Sequence, residues 1–172
     1  MKKILWILYI FILIVGTSCQ EKIDVEKETE AIKAVIMSES NATHAKDFEK
    51  SSGSFLQDSS FIYLSATKYG YQYFEGWGAY SADAREWMES YPTPSTNKYE
   101  FSNFRIKVCK KGAYAIYDET VMDQTGVFLM KFINVRFLEK VDGEWKIAFM
   151  SFVNTTTYED LVDDIQDEIE RE

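Results

Sequence analysis

The sequence predicts an α+β domain, with N-terminal helices packed on a strongly curved, mainly antiparallel sheet. Three observations carry this. Apolar residues recur at helical spacing near the start of the domain and again near residue 85. Two short aromatic runs lie between those helical stretches. From residue 98 onward, four long strand-like segments follow one another through turn signals, of which Asp142-Gly143 is the strongest.

The first helix is predicted over residues 24 to 43. Val25, Ile32, Val35 and Ile36 share one face, and Asp24, Glu26 and Glu28 suit the positive end of the helix dipole. Asp47 can cap a shorter second helix bearing Phe48, Phe55 and Leu56 on one side, although Ser51-Ser52-Gly53-Ser54 weakens it. Residues 61 to 65 and 69 to 74 read as strands, the second broken by Gly76-Trp77-Gly78. Tyr80, Ala84, Trp87, Met88 and Tyr91 repeat at three and four, which predicts a third helix capped by Ser81 and ended by Pro92 and Pro94. The long strands are predicted over residues 98–110, 113–122, 127–140 and 144–156.

The ends of the chain read differently. Met1-Lys2-Lys3, thirteen uncharged residues from Ile4 to Gly16, and then Thr17-Ser18-Cys19 have the grammar of an export signal. The apolar run is shorter than the roughly 20 residues of a spanning helix. A cysteine directly after small residues resembles a lipoprotein processing site, with Cys19 acylated and the chain cut before it. Gly16 stands where an aliphatic residue is usual, and an ordinary cleaved signal is the alternative. The expected layout is a signal peptide over 1–18, a short tether over 19–23, the domain over 24–157 and an acidic helix or tail over 158–172. That places the protein outside the cytoplasm, lipid-anchored in a bacterial cell envelope. Cys109 would then lack a disulfide partner and is expected to be a small buried apolar residue.

Charge narrows the function classes. The 172 residues carry a formal charge of −9. Residues 158–172 alone hold eight acidic side chains against Arg171, so the domain itself is only mildly acidic. That balance argues against a nucleic-acid partner, which calls for basic surface. With one His in the chain, a His-rich metal site is excluded. No metal and no cofactor are expected.

The run Phe137-Leu138-Glu139-Lys140-Val141-Asp142-Gly143-Glu144-Trp145-Lys146-Ile147-Ala148, together with Gly76-Trp77 before the third helix, resembles the nuclear transport factor 2-like superfamily, also called SnoaL-like or cystatin-like. The element order is similar over most of residues 24–157. The resemblance extends to small lipoprotein members with no assigned activity. It implies a cone-shaped domain whose curved sheet wraps the first helix around a cavity. It does not carry over catalysis. Phe149-Met150-Ser151-Phe152 replaces the polar cluster that many members place there, and neither an isomerase-like nor an epoxide-hydrolase-like residue set maps onto this chain.

Turn positions set the expected register. Pairing from the predicted turns puts Phe104, Ile106, Val108, Ala115, Tyr117, Val121, Leu129, Ile133, Val135, Phe137, Ala148, Met150 and Phe152 on one nearly apolar face, towards the helices. On that face Glu119 is expected opposite Lys131, and Lys131 opposite Asn154. Those three polar groups mark either a cavity mouth or a rim salt bridge. The outer face is expected to carry Asn103, Arg105, Lys107, Tyr114, Ile116, Asp118, Phe132, Asn134, Arg136, Trp145, Ile147, Phe149 and Ser151, with Arg105 opposite Asp118. Its mixed character suits a homodimer surface. The expected pocket lining is Tyr63, Tyr73, Trp77, Trp87, Tyr117, Glu119, Lys131, Met150, Phe152 and Asn154, which suits a small apolar or aromatic ligand. Tyr71 belongs to the same aromatic set, and all of these rings could equally be core filling. His44 is expected at the surface or in a capping role. The leading reading is a ligand-binding or interaction module. The alternatives are a dehydratase- or isomerase-type enzyme, with Glu119 as base and Lys131 or a Tyr as electrostatic partner, and a structural dimer.

Overall fold

A computed structural model describes residues 23–67 and 70–156. The expectations for the signal peptide, for Cys19 and for the acidic tail lie outside the described residues. Helix α1 spans Val25–His44, α2 Phe48–Ser52 and α3 Trp77–Ser90. The strands are β1 Ile62–Thr67, β2 Gly70–Glu75, β3 Lys98–Val108, β4 Gly112–Met122, β5 Phe128–Val141 and β6 Glu144–Asn154. They form one curved six-stranded sheet in the order β2-β1-β6-β5-β4-β3. Every pairing is antiparallel except β1 with β6.

Local chemistry explains the helix starts. The Asp24 carboxylate accepts from the Lys27 amide at 3.1 Å, and Asp47 accepts from the Lys50 amide at 3.0 Å. Helix α2 stops at Gly53, so Phe55 is not helical but bridges to Ile147 beside the sheet. The expected cap of α3 is corrected. The helix begins five residues earlier, after Gly76 at φ 82°, and the Ser81 hydroxyl donates back to the Gly78 carbonyl. Only a residue tolerant of positive φ makes that sharp strand-to-helix turn cheaply.

Ile32 and Ile36, one turn apart on α1, are fully buried against Phe55, Phe61, Tyr117, Leu138, Trp145 and Ile147. Outside this core, Glu28 on α1 accepts from Lys140 Nζ and Trp145 Nε1, both at 2.6 Å. These two bonds pin the first turn of α1 to the β5–β6 hairpin.

The register departs from expectation in all three long hairpins. The Asp142-Gly143 turn pairs Val141 with Glu144 as expected, but an irregularity at Phe137/Leu138 then sets Phe137 opposite Phe149. Trp145 and Ile147 are therefore buried rather than outward-facing. Between β4 and β5 the Asp123 carboxylate gathers the amides of Thr125, Gly126 and Val127 and the Thr125 hydroxyl. The irregularity beside this loop skips Leu129 and shifts the pairing by one, so Glu119 faces Phe132 and Thr120 faces Lys131. Between β3 and β4 the Cys109 amide bonds to the Gly112 carbonyl, and a bulge includes Asn103 at φ 54°. Arg105 consequently pairs with Ile116, not Asp118. Cys109 lies in that turn and is exposed, which corrects its expected burial.

A one-residue slip exchanges the two faces of a strand. On β5 the residues facing inward are Phe132, Asn134, Arg136 and Leu138, while Ile133 and Phe137 are exposed on the outer face. This is the reverse of the expected β5 assignment. On β3, β4 and β6 the inward positions Phe104, Ile106, Ala115, Tyr117, Val121, Met150 and Phe152 stand as expected.

Candidate functional site

Beyond the Ile32/Ile36 layer, α1 and α3 diverge from the concave sheet face and leave an open cavity of about 680 Å³. Such a volume lies within the range of small-ligand sites. Helix α1 supplies Glu39, Ser40, Thr43 and His44, which share one face. Helix α3 supplies Tyr80, Asp83, Ala84 and Trp87 at its own helical spacing. The sheet supplies Tyr63, Tyr99, Glu119, Phe132, Asn134, Arg136, Met150 and Phe152.

The floor is ionic. Arg136 is 3% exposed and Glu39 2% exposed. Arg136 Nη1 donates to the carbonyls of Ser151 at 3.2 Å and Val135 at 3.4 Å. Its Nη2 lies 3.9 Å from Glu39 Oε2, an ion pair too long for a hydrogen bond. The guanidinium sits 5.7 Å from the Tyr117 ring centre, within cation–π range. Glu39 Oε1 accepts from the Thr43 hydroxyl at 2.9 Å. Burial raises the Glu39 pKa, with Arg136 and Thr43 opposing the rise. Burial works against the Arg136 charge, but Tyr117, Glu39, Glu119 and Tyr80 around it hold its pKa above the usual value. Burial, reinforced by Glu39, also pushes the Tyr80 and Tyr117 phenols up, so both stay protonated at neutral pH.

A second polar cluster lies nearer the opening. Asn134 Nδ2 donates to Glu119 Oε2 at 3.0 Å, and His44 Nε2 lies 3.6 Å from Glu119 Oε1. The same imidazole nitrogen is 3.2 Å from Ser40 Oγ. Tyr99 stacks on His44 with ring centres 3.4 Å apart and planes within 10°. The Ser95 amide holds the His44 carbonyl at 2.9 Å, and the Ser95 hydroxyl meets Tyr99 Oη at 2.6 Å. The loop after α3 thus fixes both rings. Beside them, Lys46 Nζ lies over the Trp87 ring. This geometry corrects the surface or capping role expected for His44.

The residues picked from sequence divide into two groups. Tyr63, Trp87, Glu119, Met150 and Phe152 line the cavity. The other five are elsewhere. Tyr73 is half exposed on β2, and Trp77 packs on Phe55 and Phe61. Tyr117 is wholly buried in the core. Lys131 points to the outer face, its side chain 41% exposed and 3.8 Å from Asp118 Oδ2. Asn154 accepts from the Thr156 amide at the end of β6. The expected Glu119–Lys131–Asn154 constellation therefore does not form. Glu39, His44, Asn134 and Arg136 take its place. The α1 pair was signalled by polar residues continuing the Ile32/Ile36 face, and the β5 pair by its i, i+2 spacing, which only the correct register turns inward. Among the described residues no cluster of three His, Cys, Asp or Glu could hold a metal ion, and no helix is long and apolar enough to cross a membrane.

No family model and no curated protein matches the chain. Solved structures do. An NTF2-like protein of unknown function from Pseudomonas putida KT2440 superposes with TM-score 0.63 at 15% identity, covering 80% of this chain and 93% of that one. A cystatin-like-fold protein of unknown function from Nostoc punctiforme gives 0.59 at 12% identity, covering 75% and 92%. A protein from Streptomyces avermitilis, described as a candidate dehydratase of the NTF2-like family, gives 0.61 at 13% identity, covering 77% and 99%. The chain has the NTF2-like, cystatin-like α+β fold. Function has to be argued from the site.

Proposed function

We propose that this domain binds a small, partly aromatic ligand in the cavity between α1, α3 and the sheet. The observation that carries the reading is the cavity itself, about 680 Å³ walled by Tyr63, Tyr80, Trp87, Tyr99, Phe132 and Phe152 over a polar floor. Apolar walls with a few convergent polar groups are the usual make-up of a ligand site. Trp87 supplies the test, because its indole lines the cavity and is partly exposed. Titrating the protein with neutral, anionic and cationic single-ring aromatics should change its fluorescence saturably, and Trp87→Phe should remove most of that change. If none of the three charge classes binds, by fluorescence or by native mass spectrometry, the reading fails.

A second reading is a dehydratase- or isomerase-type enzyme with Glu119 as base. It is favoured by Glu119 lining the cavity, oriented by Asn134 with His44 3.6 Å away. In this reading His44 and Asn134 act in the place expected for Lys131. The setting we propose is the cell envelope, with the protein anchored through lipid on Cys19, a reading supported by the signal-like grammar of residues 1–19. We also propose a homodimer through the outer sheet face, supported by the exposed Tyr114, Ile133, Phe137 and Val153 side chains.

A further inference from the structure

Among the described residues, only two buried side-chain polar atoms lack a hydrogen-bond partner, Arg136 Nε and Tyr117 Oη. Arg136 lines the cavity, Tyr117 is a core residue whose ring centre lies 5.7 Å from the guanidinium, and both atoms can donate. Buried polar groups are almost always paired, so two orphaned donors in one place need a physical reason. The guanidinium sharpens the point. Its two hydrogen bonds to protein both leave from Nη1. The Nε and Nη2 edge makes none, and the nearest carboxylate oxygen is 3.9 Å from Nη2. That edge is the one that meets a carboxylate in parallel, bidentate fashion.

The carboxylates of the site are differently placed. Glu119 already accepts from Asn134 and Glu39 from Thr43, while Asp83, the third carboxylate of the lining, is exposed to solvent on α3. The unmet demand is therefore for an acceptor, not for a cation. We infer that the cavity takes an organic carboxylate whose anionic end is anchored by Arg136 and whose aromatic or apolar body lies against Tyr63, Tyr80 and Phe152. This names a ligand class for the cavity and so rests on the ligand-binding reading above. Binding is non-covalent, and no group is transferred.

Three probes that share a ring and differ in charge test the inference on the unaltered protein: phenylacetate, phenylacetamide and phenethylammonium, by calorimetry at fixed ionic strength. The expected result is that phenylacetate binds roughly 10- to 100-fold more tightly than the amide, the factor that charge-assisted hydrogen bonds typically contribute. The ammonium probe should bind most weakly. Arg136→Lys, which keeps the charge but loses the fork, should reduce that preference at least about tenfold. The double variant Arg136→Gln/Glu39→Gln, which leaves no unpaired buried charge, should bind acid and amide alike. Equal or tighter binding of the amide or the ammonium overturns the carboxylate anchor while leaving the cavity reading intact. Failure of all three probes overturns both.

Discussion

Replacing Arg136 by Leu should destabilise the protein in a way that depends on pH, and the sign follows from Glu39. Breaking a buried ion pair by removing one partner typically costs about 3–5 kcal/mol, because the other charge is left without compensation. Here the remaining carboxyl can escape by taking a proton. Burial already holds its folded pKa above the ordinary 4.5, and Arg136 is the foremost influence opposing that rise. Without Arg136 the folded pKa climbs further. A carboxyl whose folded pKa lies above its unfolded one contributes no penalty while both states are protonated. It costs stability as pH rises from the unfolded value through the folded one. The stability gap between parent and variant should therefore widen with pH by at most about 1.4 kcal/mol per unit, or up to about 3 kcal/mol between pH 5.5 and 7.5. The lost bonds to the Ser151 and Val135 carbonyls add a part that does not vary with pH. Urea unfolding at the two pH values measures the gap, and adding Glu39→Gln should flatten it. An equal loss at both pH values, or a gap that narrows as pH rises, would refute the argument.

Other outcomes are expected at sites away from the floor. Asp123→Ala removes the acceptor that organises the β4–β5 turn, so it should lower Tm; because the Asp123 pKa is lowered by those bonds, the contribution is present above the ordinary Asp range and fades as pH falls through the folded value, which a Tm–pH series reads. Glu28→Ala removes two hydrogen bonds that tie α1 to Lys140 and Trp145, so urea unfolding should show a loss of about 1–3 kcal/mol. Lys131→Ala should leave binding unchanged and stability within about 0.5 kcal/mol, because the ammonium lies outside the cavity and 3.8 Å from Asp118. Phe137→Asp on the outer face should abolish a dimer in sedimentation velocity with little loss of stability, since that ring is 43% exposed; an unchanged sedimentation coefficient would remove the case for this dimer surface.

Much of the architecture was legible residue by residue. Helix α1 followed from the Ile32/Ile36 face and the acidic residues at its start, and both are in place. The last hairpin followed from Asp142-Gly143, whose φ values of 51° and 88° suit the turn that dipeptide favours. Within the cavity, Glu119 could be picked out as an acidic residue on a predicted inward face, and Tyr63 and Trp87 as members of an aromatic set. Arg136 and Asn134 could not, because β5 is written against its own burial. It buries Asn134 and Arg136 and exposes Ile133 and Phe137. A hydropathy reading of that strand alone points the wrong way.

Periodicity and turn residues act over a few neighbouring positions, so the elements, their order and the α+β fold can be read along the chain. Which side of each long strand faces the helices is set when the sheet assembles. That choice rests on an extra residue, Leu129, beside the Asp123 loop, a bulge at Asn103 and an irregularity beside Phe137, each of which shifts a ladder by one. A strand alternates faces at every residue, so a shift of one moved Lys131 out to Asp118 and brought Arg136 in beside Glu39. The pairing of Arg136 with Glu39, 97 residues apart in the chain, is a property of the assembled sheet and helix and of no local pattern.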